Sequence, residues 1–257
     1  VKYFSIMKIL YLYSELVGYQ IPVFKVYVTS YAAEVYVISW DKNKLKPFIP
    51  VPTPGVHYYK RSEYSTQGLI ELSKKISPDI LYISGWMDHG YLKVARYFKK
   101  RNVKVITGLD DKWNGSFRQR LGSLVFPFIY RRYFSHAWVA GPYQFEFAKR
   151  IGFRNEEIIF DLLTANTDIF NIGENHNLVP EVIPKAFLYV GNFRMVKGFD
   201  ILIEAFRIYQ EKFKGDWLLI CVGNGALEHY MKDNEHIKHL PFSTEDELVE
   251  ISKQASV

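Results

Sequence analysis

The sequence predicts an α/β fold built on parallel sheets, and three observations carry that prediction. Short apolar runs of strand length alternate with amphipathic stretches of helix length. The alternation halts at Asn171–Pro184 and then restarts, which predicts two domains joined by a linker. A chain of 257 residues, 48% of them hydrophobic, holds enough apolar material for two cores. With 23% charged residues, that composition excludes a disordered tail and a collagen-like fibre. The single cysteine, Cys221, excludes a disulfide scaffold and fits a reducing compartment. Lys plus Arg number 33 and Asp plus Glu 27, a net charge of +6 that leaves nucleic acid, an acidic membrane or a phosphorylated substrate open as partners. No apolar run is long enough to span a bilayer, and no signal peptide opens the chain. Met7-Lys8-Ile9-Leu10 reads more like a native start than Val1-Lys2-Tyr3.

In order, Ile6–Tyr13 reads as a buried strand, Gly18 as part of a loop, and Ile21–Tyr31 as a helix despite its β-branched residues. Glu34–Trp40 is a second strand. Pro47, Pro50, Pro52 and Pro54 exclude regular structure before a short strand at Val56–Lys60. Then come a helix at Thr66–Ile76, a strand at Ile80–Ser84 and a helix at Tyr91–Arg101. That helix places Leu92, Ala95, Tyr97 and Phe98 inward and Lys93, Arg96, Lys99 and Lys100 outward. Val103–Thr107, Ala137–Ala140 and Ile158–Leu163 are further strands, with a helix at Tyr143–Ile151. After the linker, Ala186–Val190 is a strand and Phe199–Phe213 a helix with Phe199, Leu202, Ile203, Phe206 and Phe213 on one face. Gly215 sits where a helix-ending glycine belongs. Trp217–Val222 is a strand, Ala226–Lys232 a short helix, Ile237–Leu240 a strand and Glu245–Gln254 a helix.

The chemistry concentrates at Gly191-Asn192-Phe193-Arg194-Met195-Val196-Lys197-Gly198. A strand ends at Gly191, and a helix starts just after Lys197. Free N–H groups at a helix start, with a guanidinium and an ammonium beside them, form a diphosphate cradle. The same pattern also fits an ordinary loop with two solvated cations. Val222-Gly223-Asn224-Gly225 is a second strand-to-helix loop, and ligands bind at that edge of a parallel sheet. It also reads as a plain Asn-Gly turn. The third glycine of a dinucleotide fingerprint is absent, and no Walker A or HExxH motif occurs.

Residues Phe187–Phe206 resemble the signature of retaining glycosyltransferase family 4. The matching pieces are Gly191-Asn192, Lys197-Gly198 and Glu204-Ala205-Phe206. Val222-Gly223-Asn224-Gly225, Ile237–Phe242 and Asn166-Thr167-Asp168-Ile169-Phe170 resemble the family as well. The resemblance implies a GT-B fold, with two Rossmann-like domains facing a cleft: 1–165 for the acceptor, a linker at 166–184, and 185–257 for the donor. It implies transfer of a sugar from a nucleotide-sugar to a glycan or lipid-linked acceptor with retention of configuration, with no cofactor and no metal. Arg194 and Lys197 would stabilise the departing diphosphate. Gly18, Gly191, Asn192, Gly223 and Asn224 would line the donor, and backbone near Phe242 would meet the base. Asp110, from Thr107–Trp113, is the preferred match to the residue near the sugar, with Asp111 beside it. Either aspartate also reads as a helix-capping carboxylate, Asp111 slightly more so than Asp110. His89 offers a second candidate base, or a solvated loop residue.

Two departures stand out. Asn192 fills the family's arginine slot, so Arg194 substitutes from two residues on or the charge is lost. The family's paired glutamates would follow Val257, which predicts a donor domain cut short and an inactive, ligand-binding fragment as the alternative function. A nucleotide-sugar epimerase is a third reading.

Phe117–Phe134 combines many aromatic and aliphatic residues with Arg118, Arg120, Arg131 and Arg132. It reads either as a segment lying on an anionic membrane, which places the protein at the inner face of a cytoplasmic membrane, or as a core helix with a basic end. His229, His236 and His239 lack the spacing of a zinc set. Cations alternate with acids over most of the chain, against nucleic-acid binding.

Overall fold

The structure, a computed structural model, describes residues 6–42, 49–170 and 184–257, less the side chain at 168. The chain divides into two compact units, Val1–Asn166 and Thr167–Val257. The linker expected at Asn171–Pro184 lies, up to residue 183, outside the described residues, as does the start of the proline-rich stretch.

The first unit is a seven-stranded parallel sheet. Its strands are β1 (Lys8–Tyr13), β2 (Glu34–Ser39), β3 (Val56–Lys60), β4 (Ile80–Ile83), β5 (Lys104–Leu109), β6 (His136–Val139) and β7 (Ile158–Ile159). They run in the order β3-β2-β1-β4-β5-β6-β7. The alternation of side chains along β1 shows why the strands read as unbroken apolar runs. Ile9 and Tyr11 pack with Phe24 of α1 (Ile21–Tyr31) on one face. Leu10 and Leu12 pack on the other with α2 (Thr66–Ile76), α3 (His89–Lys99) and α5 (Pro142–Arg150). Burial of Ile21 and Phe24 outweighs the weak helix propensity of α1, which stops at left-handed Ala32. Ser65 caps α2 and Asp88 caps α3, so α3 starts two residues earlier than its apolar pattern suggests. α4 (Phe117–Ile129) carries Pro127 inside it and buries only Phe126.

Several expectations need correction. Lys99 is not outward: its ammonium donates to the backbone carbonyls of Arg131 and Phe134, and burial followed by the nearby Arg131 charge lowers its pKa. β7 is only two residues long, because Asp161 turns left-handed at φ 64° and Leu163 faces solvent. Asp111 caps nothing; the cap of α4 is Ser116. Phe117–Phe134 is not a core helix, since most of its apolar side chains are exposed.

Glu157, largely buried, receives hydrogen bonds from the guanidinium groups of Arg131 (2.7 Å) and Arg154 (3.2 Å) and from the Arg154 N–H (2.9 Å). Burial opposes its charge, but these donors win and hold the carboxyl at about 2, against 4.5 ordinarily. A depressed carboxyl pKa adds stability above the unfolded value that disappears as pH falls through the folded one. Urea midpoints of the protein and Glu157→Gln therefore differ constantly near neutrality and converge between pH 4.5 and about 2. A gap that persists at the acid end contradicts this.

The second unit holds β8 (Ala186–Val190), β9 (Leu218–Val222) and β10 (Ile237–Leu240), parallel, in the order β10-β9-β8. Ser256 N–H donates to Ala186 O and Leu188 N–H to Val257 O, so chain also runs along the other side of β8. α7 (Phe199–Phe213) buries Phe199, Ile203 and Phe206 against Leu219 and Cys221. α8 (Glu245–Ser252) covers the other face through Ile251, behind a Thr244–Glu247 capping box. A short helix, α6 (Thr167–Phe170), opens the unit. Phe213 is 74% exposed rather than on the buried face, because it sits one turn past the end of the sheet-facing stripe. The left-handed residue ending α7 is Lys214, not Gly215. Gly215 is a glycine because a Cβ there would meet the Tyr209 ring. Ala226–Lys232 forms only a 3-10 turn, Glu228–Met231.

Candidate functional site

In the second unit the carboxyl ends of β8, β9 and β10 release three loops along one edge. Gly191 N–H donates to Val222 O (2.9 Å), and Gly223 N–H to Leu240 O (2.9 Å). Gly223 adopts φ 131°, and a Cβ on it would stand 2.0 Å from Gly191 O, so these two loops touch backbone to backbone. Phe193 N–H donates to Asn224 O (3.1 Å), tying the loops again. The expected donor residues Gly191, Asn192, Gly223 and Asn224 thus lie together, and Phe242 follows β10 on the same edge, half-exposed.

Arg194 precedes and Lys197 ends a 3-10 turn, Met195–Lys197, on this edge. Both are exposed, and no carboxylate or side-chain hydrogen bond holds either head among the described residues. Left-handed Gly198 (φ 67°) then starts α7, whose N-terminus has no side-chain cap. A helix dipole, unspent N–H groups and two free cations thus lie together, a suitable environment for a phosphate.

Sequence reasoning missed what holds this loop. Phe193 is fully buried, stacked on Phe199 (4.3 Å between centroids) and edge-on to His239 (5.3 Å). The His239 Nε2 lies 2.8 Å from Gly223 O, bracing the second loop from β10. An aromatic between glycine and arginine is the signal that was available. The three histidines do not converge, and no group of three metal-ligating side chains forms among the described residues.

In the first unit the strand order reverses between β1 and β4. There Ser14 N–H donates to Ser84 Oγ (2.8 Å), and the two hydroxyls are 3.0 Å apart. Gly18 opens a 3-10 turn after β1 rather than a plain loop. Asp110 follows β5 on the same edge. Its side chain is exposed, and its backbone carbonyl accepts from Gln144. Burial, then the Asp110 and Glu15 charges, raise the Tyr19 phenol pKa. Asp110 and Gly18 therefore share one edge of the first unit. His89 is the exposed first residue of α3.

Asp88 organises this edge. It accepts from Trp40 Nε1 (2.9 Å), Arg61 Nε (2.8 Å), Gly90 N–H (2.7 Å) and Tyr91 N–H (3.1 Å). Burial alone would raise its pKa; the Arg61 and Trp40 hydrogen bonds overcome that and lower it. Asp88→Ala removes a helix cap and strands the partly buried Arg61, so it costs about 3 kcal/mol in urea unfolding. A loss below about 1 kcal/mol contradicts that role.

Both units are Rossmann-like parallel α/β layers, the GT-B-like class of fold. Residues 176–257 match the family model described as glycosyl transferases group 1. Among solved structures, the chain is similar to HepE of Anabaena in complex with UDP-glucose (TM-score 0.60, 14% identity, 97% of this chain and 72% of that chain). It is similar to sucrose-phosphate synthase of Thermosynechococcus elongatus (0.65, 12%, 97% and 74%). It is also similar to UDP-N-acetylglucosamine 2-epimerase of Rickettsia bellii (0.55, 12%, 95% and 71%). No curated protein matches the sequence.

Proposed function

We propose that this chain is a glycosyltransferase that moves a sugar from a nucleotide-sugar to a hydroxyl of a glycan or lipid-linked acceptor, with retention of configuration. The observation carrying this is the edge of the second unit. Glycine backbones meet there with no side chain between them, and two cations that no described side chain holds stand before a helix without a side-chain cap. When the bond between sugar and diphosphate breaks, negative charge grows on the leaving oxygen. Arg194, Lys197 and the start of α7 neutralise it, and they need no reorganisation to do so. Asn192 and Asn224 line the diphosphate and sugar, and backbone near Phe242 meets the base. Asp110 and the Gly18 turn belong to the first unit and serve the sugar and acceptor side. No cofactor beyond the donor enters this scheme.

The family match over 176–257 supports transfer over epimerisation, although epimerases share the fold. Incubation with a panel of UDP-, GDP- and ADP-sugars, with glycan and lipid-linked acceptors, tests the reading. The expected product carries the donor's anomeric configuration in its proton NMR spectrum. Epimerised sugar without transfer supports the epimerase, and tight binding without turnover supports a non-catalytic binding protein.

A further inference from the structure

The helix α4 turns its apolar stripe away from the core. Phe117, Leu121, Leu124, Val125 and Phe128 follow the spacing i, i+4, i+7, i+8, i+11, which gathers them into a stripe about 100° wide. Such a stripe normally seals a helix onto its domain. Here the five are 81, 52, 69, 40 and 76% exposed. The side that meets the core is the opposite one, where Phe126 stacks on Tyr130 and packs on Trp86 and Phe153. Isolated exposed apolar residues are ordinary, whereas a contiguous helical row marks a docking surface.

The charges around the row indicate what it meets. On the helical wheel Arg118 borders the stripe on one side and Arg120 on the other. Arg132 follows just past the helix and is exposed. From Lys112 to Phe145 the sequence contains Lys112, Arg118, Arg120, Arg131 and Arg132 and not one Asp or Glu. A row of large apolar side chains edged by Arg118 and Arg120, with no acid in the flanking sequence, matches a surface of hydrocarbon beneath negatively charged phosphates; Arg131 is taken up by Glu157 and is not counted.

We propose that the outward stripe of α4 docks this chain on an anionic lipid bilayer, with its apolar side chains below the headgroups and Arg118 and Arg120 on the phosphates. The helix of 13 residues, about 20 Å long, lies in the plane of the membrane and does not cross it. No described helix is long and apolar enough to cross. Anchorage by one short helix is reversible and depends on both the apolar and the charged contribution. The stripe belongs to the first unit and uses none of the residues proposed for the donor, so this proposal stands whether or not the donor reading does.

Vesicle co-sedimentation of the whole chain tests it, using phosphatidylcholine alone and phosphatidylcholine containing phosphatidylglycerol. The protein is expected to sediment with the anionic vesicles and stay in solution with the neutral ones. Arg118→Gln/Arg120→Gln should lower the partition coefficient at least about tenfold, and so should Leu124→Ser/Phe128→Ser. All four positions are exposed, so thermal melting and nucleotide diphosphate affinity of these variants stay unchanged. A second measurement reports the stripe directly. Cys221 is buried with its thiol pushed up to about 12, so a thiol-reactive polarity-sensitive dye labels Leu124→Cys selectively. Its emission should shift to the blue on adding anionic vesicles. Sedimentation with neither vesicle, or equally with both, overturns the proposal. So does a blue shift that needs only higher protein concentration and accompanies dimer formation, which would assign the stripe to a second copy of the chain.

Discussion

Gly223→Ala is expected to abolish nucleotide diphosphate binding and to loosen the second unit by about 3 kcal/mol. Two costs combine. The residue holds φ 131°, where an L side chain is strained, and its new methyl group would overlap Gly191 O at 2.0 Å. The carbonyl is backbone and cannot swing aside as a side chain would. Moving it also disturbs Gly191 N–H on Val222 O and the His239 contact to Gly223 O. Gly198→Ala provides the comparison. It also has positive φ (67°) but nothing within 4 Å of its Cβ, so it loses only about 1 kcal/mol and keeps measurable binding. Equal effects at the two positions, read by urea unfolding and calorimetric titration, contradict the close approach of the two loops.

Lys197→Ala is expected to weaken nucleoside diphosphate binding by about 1–3 kcal/mol, the range of a charge-assisted contact. Among the described residues no side chain holds the Lys197 ammonium, so its removal strands no described carboxylate and the unfolding midpoint stays put. The loss should be larger at low ionic strength, because the ammonium is exposed and screened by salt. Arg194→Ala behaves alike if the guanidinium shares the diphosphate. Unchanged affinity in both variants removes the cations from the site.

Much of the architecture was legible because parallel strands buried on both faces read as short apolar runs. The helix at Ile21–Tyr31, the strand at Ala186–Val190 and the helix at Phe199–Phe213 fall where the sequence places them. The errors cluster where long-range contacts override local pattern. Lys99 has the periodicity of a solvent-facing residue, but two carbonyls from residues 131 and 134 draw it in. Gly215 occupies a capping position in the sequence, yet its neighbour Lys214 takes the left-handed turn and the glycine makes room for Tyr209. β7 ends early at a turn that no apolar count foretells. The donor loops were legible as glycines and cations between strand and helix. The buried Phe193 behind them and the Asp88 hub were not, because their roles depend on partners 6 to 48 residues away, from Phe199 and His239 to Arg61 and Trp40.

The outward stripe of α4 illustrates the same limit. The sequence offers an amphipathic row with arginines, and only the fold reveals that the row faces outward.

Comparing a nucleoside diphosphate with its parent nucleoside by calorimetric titration tests most directly whether the cations beside α7 hold pyrophosphate. The wild-type chain should prefer the diphosphate strongly, and Arg194→Ala/Lys197→Ala should bring the two affinities close together while leaving the nucleoside's own affinity intact. A preference of unchanged size in the double variant, or none in the wild-type chain, contradicts the account.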